Sequence, residues 1–204
     1  MRRPVGLTVL AVATIIVGGL GASHALSLQL APLFDHHDTF VEQVRDSLDA
    51  QRLPGLSSDE RAKLGLELGE REWSRRGVAI PLGLVNLVTS FLLFAGAIEA
   101  LRGRPWGHGA WEWAARLSIP YTLVATALAV VGVRDLGGPM AASLHAVSRG
   151  SPVDGQSFAA LGVLLYECFA VAWGVSLIGF YVACTMYLRR PSVKALFPAT
   201  PVAK

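Results

Sequence analysis

Charge is what this chain has little of. Asp, Glu, Lys and Arg make up 16% of its 204 residues, and apolar residues make up 52%, whereas a soluble domain carries about a quarter charged residues. That deficit excludes an ordinary water-soluble domain. Cysteine is scarcer still, with only Cys168 and Cys184. Both fall in the last apolar run, about 24 Å apart along one helix, so they cannot bridge each other within one subunit. They read as small buried hydrophobes. Also missing are a phosphate loop, a paired-cysteine redox motif and a serine-nucleophile motif, together with any internal repeat or low-complexity tract. His24 is the only histidine inside an apolar run, which argues against bis-His haem. No cofactor is expected. The sequence pI near 9.1 raises nucleic acid as a partner, but the net charge is only +3. The basic residues flank apolar runs, which marks topology rather than a phosphate-binding face, so no nucleic-acid partner is expected.

What the chain does have is four long apolar runs, at about 5–30, 77–98, 117–133 and 158–188. Roughly twenty apolar residues suffice for a helix to cross the hydrocarbon core. The pattern therefore predicts an all-α polytopic membrane protein with four transmembrane helices in a single membrane domain, 1–204. The third run, between Arg116 and Arg134, is the shortest. The fourth stops at Arg189-Arg190, where Pro191 prevents further helix.

Loop charge predicts the orientation. The short segments 1–4, 102–116 and 189–204 hold nine basic residues (Arg2, Arg3, Arg102, Arg104, Arg116, Arg189, Arg190, Lys194, Lys204) against one acid, Glu112. Dense positive charge in short loops places both termini in the cytoplasm. Arg75 and Arg76 weigh the other way. Ser23-His24-Ala25 offers a signal-peptide cleavage pattern, but apolar character continues through Leu26, Leu28, Leu30, Leu33 and Phe34, which favours a retained span.

Residues 35–76 read as an extracytoplasmic helical hairpin that caps the spans. Thr39-Phe40-Val41-Glu42 fits a capping box, and Phe40, Val44 and Leu48 follow at every fourth position. Pro54-Gly55 makes the break. Ser57-Ser58-Asp59-Glu60 then opens a second helix with Leu64, Leu68 and Trp73 on one face. Residues 135–157, with Gly137-Gly138-Pro139 and Ser151-Pro152, read as a loop with a short helix across Met140 to Val147. Residues 102–109 read as a tight basic turn with interfacial tryptophans at 106, 111 and 113.

Few residues carry potential chemistry. Asp35, His36, His37 and Asp38 are the one cluster of metal-ligand types, since imidazoles and carboxylates suit zinc and similar ions. Adjacent side chains diverge, and the structural reading has Asp38 capping a helix from Thr39 with solvated histidines. Glu99 and Glu167 are carboxylates in or beside spans, and such groups are candidates for an ion path, with Asn86 beside Thr89 and Ser90 as a polar patch. Glu99 is spaced to pair with Arg102, and Glu167 with Arg134 or Arg149. Gly18 with Ala22 and Ala170 with Gly174 give the small-residue spacing that lets helices approach closely.

The glycine-rich first run, the second ending in Ala-Gly-Ala-Ile-Glu-Ala-Leu-Arg-Gly-Arg-Pro-Trp-Gly at 95–107, and the two further runs resemble the small four-helix inner-membrane proteins of unassigned function found in many bacteria. The resemblance covers the spans and not the insert at 35–76; it implies a fold, a bacterial inner-membrane location and no activity. The expected function is a non-enzymatic structural or accessory component that binds the lipid bilayer, itself as a homo-oligomer, or other membrane proteins. The rivals are a small transporter or channel subunit using Glu99, Glu167 and Asn86, and a metal-dependent membrane enzyme using residues 35–38.

Overall fold

The computed structural model describes residues 4–30, 33, 36–50, 57–147 and 155–197. The elements among them are helical: α1 (Val5–His24), α2 (His37–Ala50), α3 (Ser58–Ser74), α4 (Arg76–Leu101), α5 (Pro105–Val147), α6 (Gly155–Leu188) and α7 (Pro191–Lys194). A π-helical turn, Ala25–Gln29, extends α1, closed by the Leu30 amide donating to Ala25 O at 2.9 Å. Four stretches are long and apolar enough to cross a membrane: Val5–Ser27, Arg76–Leu101, Pro105–Arg134 and Ala160–Leu188.

The third stretch departs most from the expectation. It is 30 residues long rather than the shortest, because α5 starts at Pro105 and carries Glu112 and Arg116, whose charges had seemed to exclude this segment. On a helix these two lie one turn apart and pair with each other, so neither is an isolated charge. At its other end α5 runs through Gly137-Gly138-Pro139 to Val147, where a loop was expected. Glycine and proline each impose a local cost, about 1 and 3 kcal/mol, which a long nucleated helix can propagate across.

The turn between α4 and α5 follows directly from Arg102-Gly103-Arg104-Pro105. Gly103 adopts a left-handed φ of 79°, which is open to glycine without a Cβ penalty. Its amide donates to Ala100 O at 3.0 Å, and the Arg104 amide reaches back to Glu99 O at 3.0 Å. This pair of bonds is a Schellman closure, satisfying carbonyls that the helix end leaves open. Pro105 then starts α5, where its missing N–H costs nothing.

The chain divides into two compact units. The first comprises Met1–Leu30, Pro81–Val124 and Gly174–Lys204. Its core joins Leu7 and Ala11 of α1, Leu93 and Ala97 of α4, Trp111 and Ala115 of α5, and Cys184 and Leu188 of α6, with Val193 of α7. Small residues set the spacing here. A Cβ on Gly18 would lie 2.8 Å from Ser90 O, and one on Gly96 2.8 Å from the Trp111 amide nitrogen. Backbones of α1 and α5 thus run directly against α4. Trp111 is wholly buried, while Trp106 and Trp113 are exposed; the expectation of three interfacial tryptophans fails for the one facing α4. Cys184 is buried and Cys168 exposed, so only the former is the small buried hydrophobe expected.

The second unit comprises Ala31–Ile80 and Ala125–Trp173. Within it α2 and α3 pack antiparallel: His37 meets Glu70, Gly69 lies against Val41, Gly65 against Arg45, and Arg61 pairs with Asp49. Phe40, Val44, Leu48, Leu64, Leu68 and Trp73 are half-buried, as the periodicity predicts, but the buried residues are Val41, Gly65 and Gly69. Two glycines let the α3 backbone close on α2, which a reading of large apolar side chains does not reveal. The box at Ser57 forms as expected: the Glu60 amide donates to Ser57 Oγ at 3.3 Å, and the Ser57 amide donates to Glu60 Oε2 at 2.9 Å. The other box does not, because α2 begins at His37, ahead of Thr39. The break at Pro54-Gly55 and the turn at Ser151-Pro152 lie outside the described residues.

Candidate functional site: paired carboxylates of the apolar helices

Glu99 lies in the last turn of α4 with its side chain nearly buried. Arg102 Nη1 donates to its Oε1 at 2.6 Å, and Arg104 Nη1 lies 2.7 Å from Oε2 as a charge contact without hydrogen-bond geometry. The first pair follows from the i,i+3 spacing expected. The second depends on the Schellman closure, which turns Arg104 back over the residue whose carbonyl its amide already holds.

Glu112 forms a second cluster that the sequence reading missed. Its Oε1 accepts from Arg116 one turn along α5 and from Arg189 Nε at 2.9 Å, beyond the end of α6. Beside it, His108 is buried and its Nε2–H donates to Leu188 O at 3.0 Å. That carbonyl belongs to the last turn of α6 and has no continuing helix to serve it. The His108 ring also packs on Phe197, with centroids 4.9 Å apart. The i,i+4 spacing of Glu112 and Arg116 was visible as a signal; the arrival of Arg189 was not, since it requires α6 to end beside α5.

Glu167 of α6 is held in a two-point grip by Arg134 of α5, Nε to Oε1 at 2.6 Å and Nη2 to Oε2 at 3.2 Å. Of the two partners expected, the observed one is Arg134; Arg149 lies outside the described residues. Asn86 Nδ2 donates to Gly21 O at 3.3 Å, Ser90 Oγ donates to Asn86 Oδ1 at 3.1 Å, and Thr89 Oγ1 donates to Val85 O at 2.8 Å. The polar patch of α4 therefore faces α1 at the glycine contact. Gly18 meets α4 with Gly21, one helical step before Ala22, as its second small neighbour. Glu99, Glu167 and Asn86, the residues named for an ion path, thus each bond to different neighbours.

In the cluster at 35–38, Asp35 lies outside the described residues. His36 and Asp38 are exposed. Asp38 does not cap a helix from Thr39; it sits in the first turn of α2 with Oδ1 2.8 Å from His37 Nδ1. The other ring nitrogen, Nε2, lies 3.1 Å from Glu70 Oε2, and the ring meets Trp73 edge-on at 5.2 Å. Among the described residues no group of three or more His, Cys, Asp or Glu side chains converges as a metal cage would require.

Two carboxylates flanking one imidazole favour its charged form. Asp38 and then Glu70 raise the His37 pKa above the ordinary 6.5. A group raised on folding contributes its full stabilisation below the unfolded value and loses it as pH rises through the folded one. The α2–α3 pair should therefore melt at a higher temperature at about pH 5.5 than at about pH 8.5. Tryptophan fluorescence of the parent should show this difference, and His37→Gln should flatten it; an equal slope in the variant would remove His37 as its source.

Comparisons with protein families, with curated proteins and with solved structures return no match to this chain.

Proposed function

We propose that the chain is a non-enzymatic integral membrane component that binds itself or other membrane proteins. In this reading it sits in a bacterial inner membrane with both termini cytoplasmic and α2–α3 as an extracytoplasmic cap. One observation carries it: Glu99, Glu167 and Asn86, the groups an ion path would use, each hold partners within the chain. Glu99 is clasped by Arg102 and Arg104, Glu167 by Arg134, and Asn86 by Gly21 and Ser90. An ion path needs groups that can exchange protein partners for the passing ion. Asn86 and Glu167 instead join neighbouring helices, the commoner use of polar side chains between such helices, and Glu99 closes the turn after α4. Self-association is supported by Ser176, Gly179 and Ala183, exposed on α6 at a spacing that suits close helix approach.

Reconstitution tests the reading. The parent in liposomes should show proton and cation flux no greater than empty liposomes, and Glu167→Gln should stay folded, because a pair at an accessible position contributes little to stability. Flux above background that vanishes in Glu167→Gln would replace this reading with the transporter. Orientation is read from the same preparation: in a background of Cys168→Ala and Cys184→Ala, an impermeant thiol reagent on intact cells should label Ser58→Cys and spare Ser192→Cys.

A further inference from the structure

Glu99 and Glu112 are each clasped by two arginines, so each carboxylate is overcompensated by one positive charge. At Glu99 the carboxylate points inward and both guanidiniums outward: side-chain exposure is 9% for Glu99 against 63% for Arg102 and 60% for Arg104. It is 13% for Glu112 against 54% for Arg189, while Arg116 is half-buried at 34%, so Arg189 supplies most of the outward face of this cluster. We infer that these two clusters are binding sites for the phosphodiester headgroups of anionic lipids. The inference rests on the membrane reading and extends it by naming a ligand.

The physical argument starts from the guanidinium. It carries five N–H donors in one plane, and a carboxylate accepting along one edge leaves donors on the others. Two such groups fixed side by side by a shared carboxylate present an outward fork with a net charge of one. A phosphodiester offers the complement, one negative charge spread over two free oxygens that accept paired N–H bonds. The buried carboxylate thus acts as a positioning group: it holds two flexible side chains in place before the ligand arrives, so less conformational freedom is lost on binding.

The surroundings point to a lipid headgroup as the source rather than free phosphate. Trp106 and Trp113 are exposed on the first turns of α5, and Arg116 lies over the Trp113 ring at 5.5 Å. Amphipathic indoles settle at headgroup depth. Arg190 lies over Tyr187 at 5.3 Å, and exposed Lys194 follows on α7, adding charge without a further carboxylate on that segment. Charge bias for topology accounts for basic residues at these helix ends, but not for their arrangement in pairs on inward-facing acids.

The test uses the full chain in a mild neutral detergent, with phosphatidylglycerol, phosphatidylcholine or inorganic phosphate added. Native mass spectrometry should show phosphatidylglycerol retained over phosphatidylcholine by about fivefold for each basic side chain engaged, and melting should shift upward with phosphatidylglycerol alone. The triple change Glu99→Gln, Arg102→Gln, Arg104→Gln removes one cluster without stranding a charge, and should lower retention while the second cluster persists. Glu112→Gln, Arg116→Gln, Arg189→Gln should act likewise on the other. Should either triple variant fail to fold, Arg102→Lys with Arg104→Lys keeps the charge on Glu99 but loses the fork, and should still reduce retention. Lys63→Gln on α3 should change nothing. Equal retention of the two lipids, selectivity untouched by these variants, or the same stabilisation by inorganic phosphate would overturn the inference. A chain that stays soluble and monodisperse without detergent would instead overturn the membrane reading beneath it.

Discussion

Gly107→Leu should lower the melting temperature of the detergent-solubilised protein by about 10 °C or more, while Gly109→Leu should leave it unchanged or slightly raised. The two positions lie two residues apart in the first turns of α5, and helix propensity alone favours both substitutions by about 0.5–1 kcal/mol. Their surroundings differ. A Cβ at 107 would sit 2.6 Å from the Ala100 amide nitrogen and 2.7 Å from the Glu99 carbonyl carbon, whereas one at 109 meets nothing within 4 Å. Backbone atoms cannot turn aside as a flexible side chain can, so the helices must separate. Overpacking of this kind costs about 1–3 kcal/mol and more where main chain is struck. Separation would also pull apart the Schellman turn and the Glu99 cluster that it positions. Parent-like melting of Gly107→Leu would mean that α4 and α5 do not cross here.

Trp111→Ala should destabilise the first unit by about 3 kcal/mol, the lower end of the range for aromatic truncation. Trp111 is wholly buried among Leu7, Leu93, Ala97 and Leu188 in the core where α1, α4, α5 and α6 meet. Trp113→Ala should change stability by no more than about 0.5 kcal/mol, since this residue is 62% exposed. Trp111→Phe separates shape from polarity. The indole Nε1 is buried without an acceptor among the described residues, so a phenyl ring keeps most of the packing and removes a stranded donor; its cost should stay below about 1.5 kcal/mol. Thermal melts of the three variants check the order, and an exposed-like result for Trp111→Ala would displace this residue from the core.

Elements that depend on a few neighbouring residues were legible in the sequence. The lengths of the apolar runs set three of the four long helices to within a few residues at most ends, and the stop at Arg189-Arg190-Pro191 is where α6 ends. The box from Ser57 to Glu60 and the pair from Glu99 to Arg102 are fixed by a spacing of three residues. Polar interruptions misled the reading of α5, because Glu112 and Arg116 looked like the edge of a run when their one-turn spacing allows them to stay inside a helix.

The rest was decided by which helix lies opposite. Sequence determines that Arg189 is basic, not that it reaches Glu112. It gives three tryptophans at 106, 111 and 113 but not the side of α5 that α4 covers, which buries only the middle one. The same holds for Cys168 and Cys184, alike in composition and opposite in burial, and for Gly65 and Gly69, whose value lies in the α2 backbone pressed against them. Helices bonded entirely within themselves form from local pattern, whereas the partner of each side chain depends on interhelical packing between residues far apart in the chain.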